Sequence, residues 1–123
     1  MGTVLVVDGA NVVGARPDGW WKDRAGAATR LHLQLMVADV PQDRVVLVLE
    51  GAAKGGVRPG KDAHVRTVHA KGNGDDTIVA EAKAASETGD RVFVVTADRI
   101  LMGRVERYGA LIMSPTWLLG HLE

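Results

Sequence analysis

Runs of β-branched and other apolar residues alternate along this chain with segments of helical spacing, and that alternation constrains its fold more than any other feature. Thr3–Val7 and Arg44–Leu49 are nearly unbroken apolar runs, the pattern of strands buried on both faces. Val65–His69, Arg91–Val95 and Leu111–Met113 read as three further strands. Between the first two runs, Ala27, Ala28, Leu31, Leu35 and Ala38 recur at helical spacing. A helix with one apolar face is therefore expected over 24–38, stopped ahead of Pro41. A second helix is expected from Asp75 or Asp76, as its cap, to about Thr88, with Gly89 closing it. A third spans Asp98–Tyr108 and ends at Gly109, and a last one starts from Ser114 with Pro115 in its first turn. Strands alternating with helices predict an α/β domain built on a parallel sheet of five strands, residues 1–123 forming one domain. Gly51, Gly55, Gly56, Pro59 and Gly60 make residues 52–63 a mobile loop in this reading.

The remaining bulk properties exclude several classes. Fifteen Lys and Arg balance fifteen Asp and Glu, which argues against a polycationic nucleic-acid coat protein but leaves room for charge segregated within the fold. No stretch of about 18 apolar residues occurs, so no membrane partner is expected. The start of the chain lacks the basic segment of a signal peptide, and a cytoplasmic location is the expectation. The absence of cysteine excludes thiol nucleophiles and zinc ribbons, so any metal must take oxygen or imidazole ligands.

The carboxylates fall at informative places. Asp8 follows the first strand, Glu50 the second, Asp75 and Asp76 start the helix after the third, and Asp98 lies three residues past Val95. The carboxyl ends of parallel strands share one rim, where open α/β sheets bind ligands. Acids meeting there raise one another's pKa unless a cation is present. A hard divalent ion, Mg²⁺ or Mn²⁺, with oxygen ligands resolves that conflict. The structural alternative for each acid is a helix cap or a turn.

In order along the chain, Val7-Asp8-Gly9-Ala10-Asn11, Gly74-Asp75-Asp76 and Val95-Thr96-Ala97-Asp98-Arg99 resemble the motifs of the PIN-like nuclease superfamily, in its YacP-like NYN branch. The resemblance runs from the first strand to the last. It implies a three-layer α/β/α sandwich around a central, mainly parallel five-stranded sheet, and metal-dependent cleavage of RNA phosphodiester bonds. Asp8, Asp75, Asp76 and Asp98 then correspond to metal ligands, and Asn11 to the residue that helps orient the first of them. Met102 stands where some members carry a further Asp, and Glu50 is a candidate extra acid in its place.

On the substrate side, Lys54, Arg58, Lys61, Arg66 and Lys71 cluster with a single acid among them, Asp62. That run can guide a phosphate backbone, or it can be a solvated loop. Arg99 can contact phosphate bidentately or pair with a neighbouring acid. Asn11 can position a phosphate or metal water, or be a left-handed turn residue. Trp20 and Trp21, flanked by Arg16, Lys22 and Arg24, suit stacking on single-stranded RNA, one ring buried and one available. The four histidines are too scattered for a metal triad, and no phosphate-binding glycine loop or serine-hydrolase elbow occurs. A ribonuclease using Mg²⁺ or Mn²⁺ on single-stranded RNA is the leading reading, with homo-oligomerisation left open. A metal-dependent nucleotide hydrolase and a catalytically inactive RNA-binding module of the same fold are its rivals.

Overall fold

A computed structural model describes residues 2–123. The strands are β1 (Thr3–Asp8), β2 (Arg44–Leu49), β3 (Gly60–Asp62), β4 (Val65–His69), β5 (Arg91–Val95) and β6 (Leu111–Met113). The helices are α1 (Gly9–Gly14), α2 (Arg24–Val37), α3 (Gly74–Glu87), α4 (Arg99–Glu106) and α5 (Pro115–Leu122), with 3₁₀ turns at Trp20–Lys22 and Gly51–Gly56. One sheet of order β3-β4-β2-β1-β5-β6 holds all six strands, and every pairing is parallel except β3 with β4.

Side chains alternate across the sheet because a strand repeats every two residues. Val4, Val6, Val46, Val48, Val92 and Val94 pack with Ile78, Ala82, Leu101 and Val105 of α3 and α4. Leu5, Val7, Leu47, Leu49 and Val65 pack on the other face with Val12, Ala28, Leu31, Leu35 and Leu118 of α1, α2 and α5. The expected three-layer α/β/α sandwich is therefore present, with β1 at its centre covered on both sides.

Two expectations are corrected. The sheet has six strands rather than five, because Gly60–Asp62 folds back on β4 in an antiparallel hairpin. Its tight turn holds Ala63 at φ 53°, a left-handed conformation that alanine does not advertise. The segment expected to be a mobile loop is otherwise a 3₁₀ turn fastened to the body. Thr29 Oγ1 donates to the Gly56 carbonyl at 2.7 Å, Lys54 Nζ donates to the Ala70 carbonyl at 3.0 Å, and His69 Nε2 meets the Val57 carbonyl at 2.7 Å.

At the opposite end of the sheet, Asp90 ties the strand starts together. It accepts from the Gly2 amide, from Arg44 Nη2 at 2.5 Å and from Thr88 Oγ1. The Arg44 guanidinium, more than any other group, holds its carboxyl below the ordinary range. A carboxylate so depressed stabilises the fold above the unfolded-state pKa and stops doing so as pH falls through the folded value. Asp90→Asn is therefore expected to melt below the wild type at neutral pH, with the gap closing in strong acid. Thermal melts across pH measure this, and a gap that persists in acid contradicts it.

Candidate active site

β1 is the point where the chain changes direction across the sheet. From β1 it passes through α1 and α2 on one face to β2, whereas β5 leads into α4 on the other face. The crevice between the carboxyl ends of β1 and β5 is thus the switch point where open α/β sheets bind ligands. Asp8 ends β1 there, and Thr96-Ala97-Asp98 follow β5.

These residues form one hydrogen-bonded frame. Thr96, fully buried, donates its hydroxyl to Asp8 Oδ2 at 2.9 Å. The same Thr96 oxygen accepts from the Asp98 amide at 3.1 Å. Asp8 Oδ1 accepts from the Asn11 amide and so caps α1, and Asp98 Oδ1 accepts from the amides of Ile100 and Leu101 and caps α4. Asn11 spans the crevice, its Oδ1 accepting from the Ala97 amide at 3.0 Å. The amide orientation that this fixes leaves its Nδ2 donors for something else. Asn11 is helical, so the left-handed-turn alternative does not hold; α1 starts immediately at Gly9. Only glycine fits at that start, since a Cβ would lie 2.6 Å from the Val48 carbonyl oxygen of β2.

Two more acids face this frame. Asp75 lies in the first turn of α3, whose cap is Asn73 rather than either aspartate. Glu50 follows β2 beside Gly74, where a Cβ would sit 3.2 Å from its carboxylate. Burial pushes the Asp8 carboxyl up; the hydrogen bonds from Thr96 and Asn11 oppose this, and the charges of Asp75 and Glu50 add to it. Burial also raises Asp75, followed by the charge of Asp98, with Arg104 pulling the other way. The charges of Asp75 and Glu50 thus act on Asp8, and that of Asp98 acts on Asp75. Asp76 is the smallest of the influences on Asp75; its side chain is 82% exposed and pairs with Arg104 of α4 at 2.8 Å.

The donor set suits a hard cation, being all oxygen and electrostatically frustrated without one. Among the described residues, no three Asp, Glu or His side chains stand close enough to hold an ion together in this arrangement.

Other candidate residues are dispersed. An open groove of about 400 Å³ beside the frame is lined by Ala10, Asn11, Gly14, Ala15, Ala97 and Pro115. Past its Gly14 end stands Trp20, half-buried beneath the Arg24 guanidinium. Trp21 meets it edge-on and is 57% exposed. Arg58, Lys71 and Arg99 are exposed, and Lys54 is anchored to Ala70. Lys61 lies away from the rim, on β3 opposite Arg66, and the two line a separate cavity of about 290 Å³ with Arg44, Glu81 and Asp90. Arg66 there pairs with Glu81. Arg104 and Thr96 are the residues that reading the sequence missed. Thr96 lies inside a quoted motif, but nothing local marks Arg104.

Residues 5–123 match the family model described as the YacP-like NYN domain. The chain belongs to this family. It is a family of nuclease type, and the six-stranded, mostly parallel sheet has its fold. Two solved structures of Rae1 (YacP) from Bacillus subtilis are similar to the chain. The W164L mutant matches with a TM-score of 0.71 and 20% identity over 98% of this chain and 74% of that one. The other Rae1 structure matches with a TM-score of 0.69 and 23% identity over 97% of this chain and 72% of that one. No curated protein matches the chain. No helix among the described residues is long and apolar enough to cross a membrane.

Proposed function

We propose that this NYN domain is a ribonuclease that hydrolyses phosphodiester bonds in single-stranded RNA with Mg²⁺ or Mn²⁺. The observation that carries the proposal is the Asp8–Thr96–Asp98 frame at the switch point, with Asp75 and Glu50 facing it. Asp8, Asp75 and Asp98 stand too far apart to share an ion in this arrangement and would draw together on the cation, Glu50 adding charge beside Asp8. When bound, it supplies Lewis-acid stabilisation of a phosphoryl oxygen and a water of lowered pKa.

The chain's own groups do the rest. Thr96 keeps Asp8 and Asp98 in one register, so two ligands from different strands need no separate ordering. Asn11, immobilised by the Ala97 amide, offers Nδ2 as a donor to a phosphate oxygen. The groove past Gly14 is a path for the strand, and Trp21 presents an indole on which an unpaired base stacks. Arg58, Lys71 and Arg99 are exposed cations outside the groove lining that would meet the phosphate backbone, and Lys54 adds a fixed one at the end of β4.

Labelled single-stranded RNA should be cut in Mn²⁺ or Mg²⁺ and spared in excess EDTA, with a matched duplex cut more slowly. Cleavage indifferent to EDTA, or no cleavage with either ion, overturns the proposal. Turnover of free nucleotides without RNA cleavage would assign the site to a nucleotide hydrolase instead.

A further inference from the structure

Arg104 matches none of the motifs read from the sequence, yet it reaches the edge of the acid cluster. From α4 its Nη2 donates at 2.8 Å to Asp76 Oδ1 in the first turn of α3, next in sequence to Asp75. The pair is exposed, at 40% and 82% of the side chains, and an exposed pair adds next to nothing to stability. What the pair does accomplish is orientation. One nitrogen of the planar guanidinium is taken by Asp76, and the rest of the fork, on a side chain 40% exposed, keeps donors for a ligand. Arg99, by contrast, takes part in none of the ion pairs among the described residues, so its contact with a ligand would first require ordering a free side chain.

We propose that Arg104 contacts the RNA phosphate at the active site, and that Asp76 is the positioning residue that aims it rather than a ligand of the cation. The inference rests on the ribonuclease reading and adds to it a residue and a division of labour between adjacent aspartates. Asp75 faces the frame and Asp76 faces the arginine because neighbouring residues on a helix project about 100° apart.

The test is binding of a cleavage-resistant phosphorothioate single strand in Mn²⁺ across a series of salt concentrations, with Mn²⁺ calorimetry run without RNA and initial rates measured on the cleavable strand. Arg104→Ala should weaken RNA binding about tenfold at low salt, and should reduce the slope of log affinity against log salt by about 0.7, one phosphate contact on a single strand. Arg104→Lys should restore the slope but not the full affinity, since it keeps the charge and loses the fork. Asp76→Asn should leave Mn²⁺ affinity unchanged and lower kcat/KM about tenfold, and should have no such effect in an Arg104→Ala background. Both side chains are exposed, so these variants retain the fold. An Arg104→Ala protein with wild-type affinity and salt slope overturns the proposal, as does an Asp76→Asn protein that loses Mn²⁺ affinity. A wild type that binds no RNA overturns the ribonuclease reading itself, a result distinct from either.

Discussion

Asp8→Asn is expected to lower RNA cleavage on the order of 10³-fold, about 4 kcal/mol of transition-state stabilisation, while leaving the fold in place. The side chain sits where β1, α1 and the turn after β5 meet, and both its oxygens are engaged, one by the Asn11 amide and one by the Thr96 hydroxyl. Asparagine keeps an oxygen for the α1 cap, a position it favours. Its amide can donate to the Thr96 oxygen in place of accepting. What it removes is the charge. Because burial raises the Asp8 pKa, the ionised carboxylate is disfavoured in the folded protein relative to the unfolded chain. Its cost to stability is absent in strong acid and appears as pH rises through the raised value. The metal-free variant should therefore melt at or above the wild type at neutral pH, with no advantage in strong acid. Initial rates and thermal melts measure both arms, and cleavage within tenfold of the wild type would remove Asp8 from the site.

Gly56→Val should be the most damaging single change away from that centre. A Cβ at Gly56 would lie 1.9 Å from the Ala25 carbonyl oxygen and 2.9 Å from Thr29 Oγ1. The first of these is backbone in α2 and cannot swing aside. The 3₁₀ turn would have to lift from α2, breaking the Thr29 bond to the Gly56 carbonyl and loosening Val57 from the core beneath. Overpacking of this kind costs about 3 kcal/mol, which in a domain of this size lowers the melting temperature by roughly 10 °C. Lys54 rides on the same turn, so RNA affinity should fall with it. A Gly56→Val protein that melts with the wild type would show that the turn is not seated as described.

The strands were legible because Val4–Val7 and Val45–Leu49 carry side chains suited only to burial on both sides, and a parallel sheet supplies that setting. The hairpin of β3 was not legible, because its turn residues, Ala63 and His64, lack the Asn-Gly or Asp-Gly signature of a tight reversal. The glycines of residues 51–60 read as freedom for an equally physical reason: a missing Cβ looks the same whether it permits motion or permits close contact. At Gly56 it permits contact with α2. Helix α1 was hidden by its brevity, six residues directly after a strand, held by Asp8 as cap and by Val12 in the core rather than by a periodic pattern.

The order of the five parallel strands and of helices α2 to α5, the two-sided burial of the sheet and the presence of acids at successive strand ends are determined by the sequence itself, since each follows from local composition and a two- or 3.6-residue period. Which acids meet is decided only by the tertiary structure. Asp75 and Asp76 are neighbours in sequence, yet Asp76 pairs with Arg104, 28 residues away, while Asp75 is acted on by the charge of Asp98. Thr96 reaches across 88 residues to Asp8 while it holds the Asp98 amide. Contacts at such separations depend on how α3 and α4 settle on the sheet, and no local pattern encodes that.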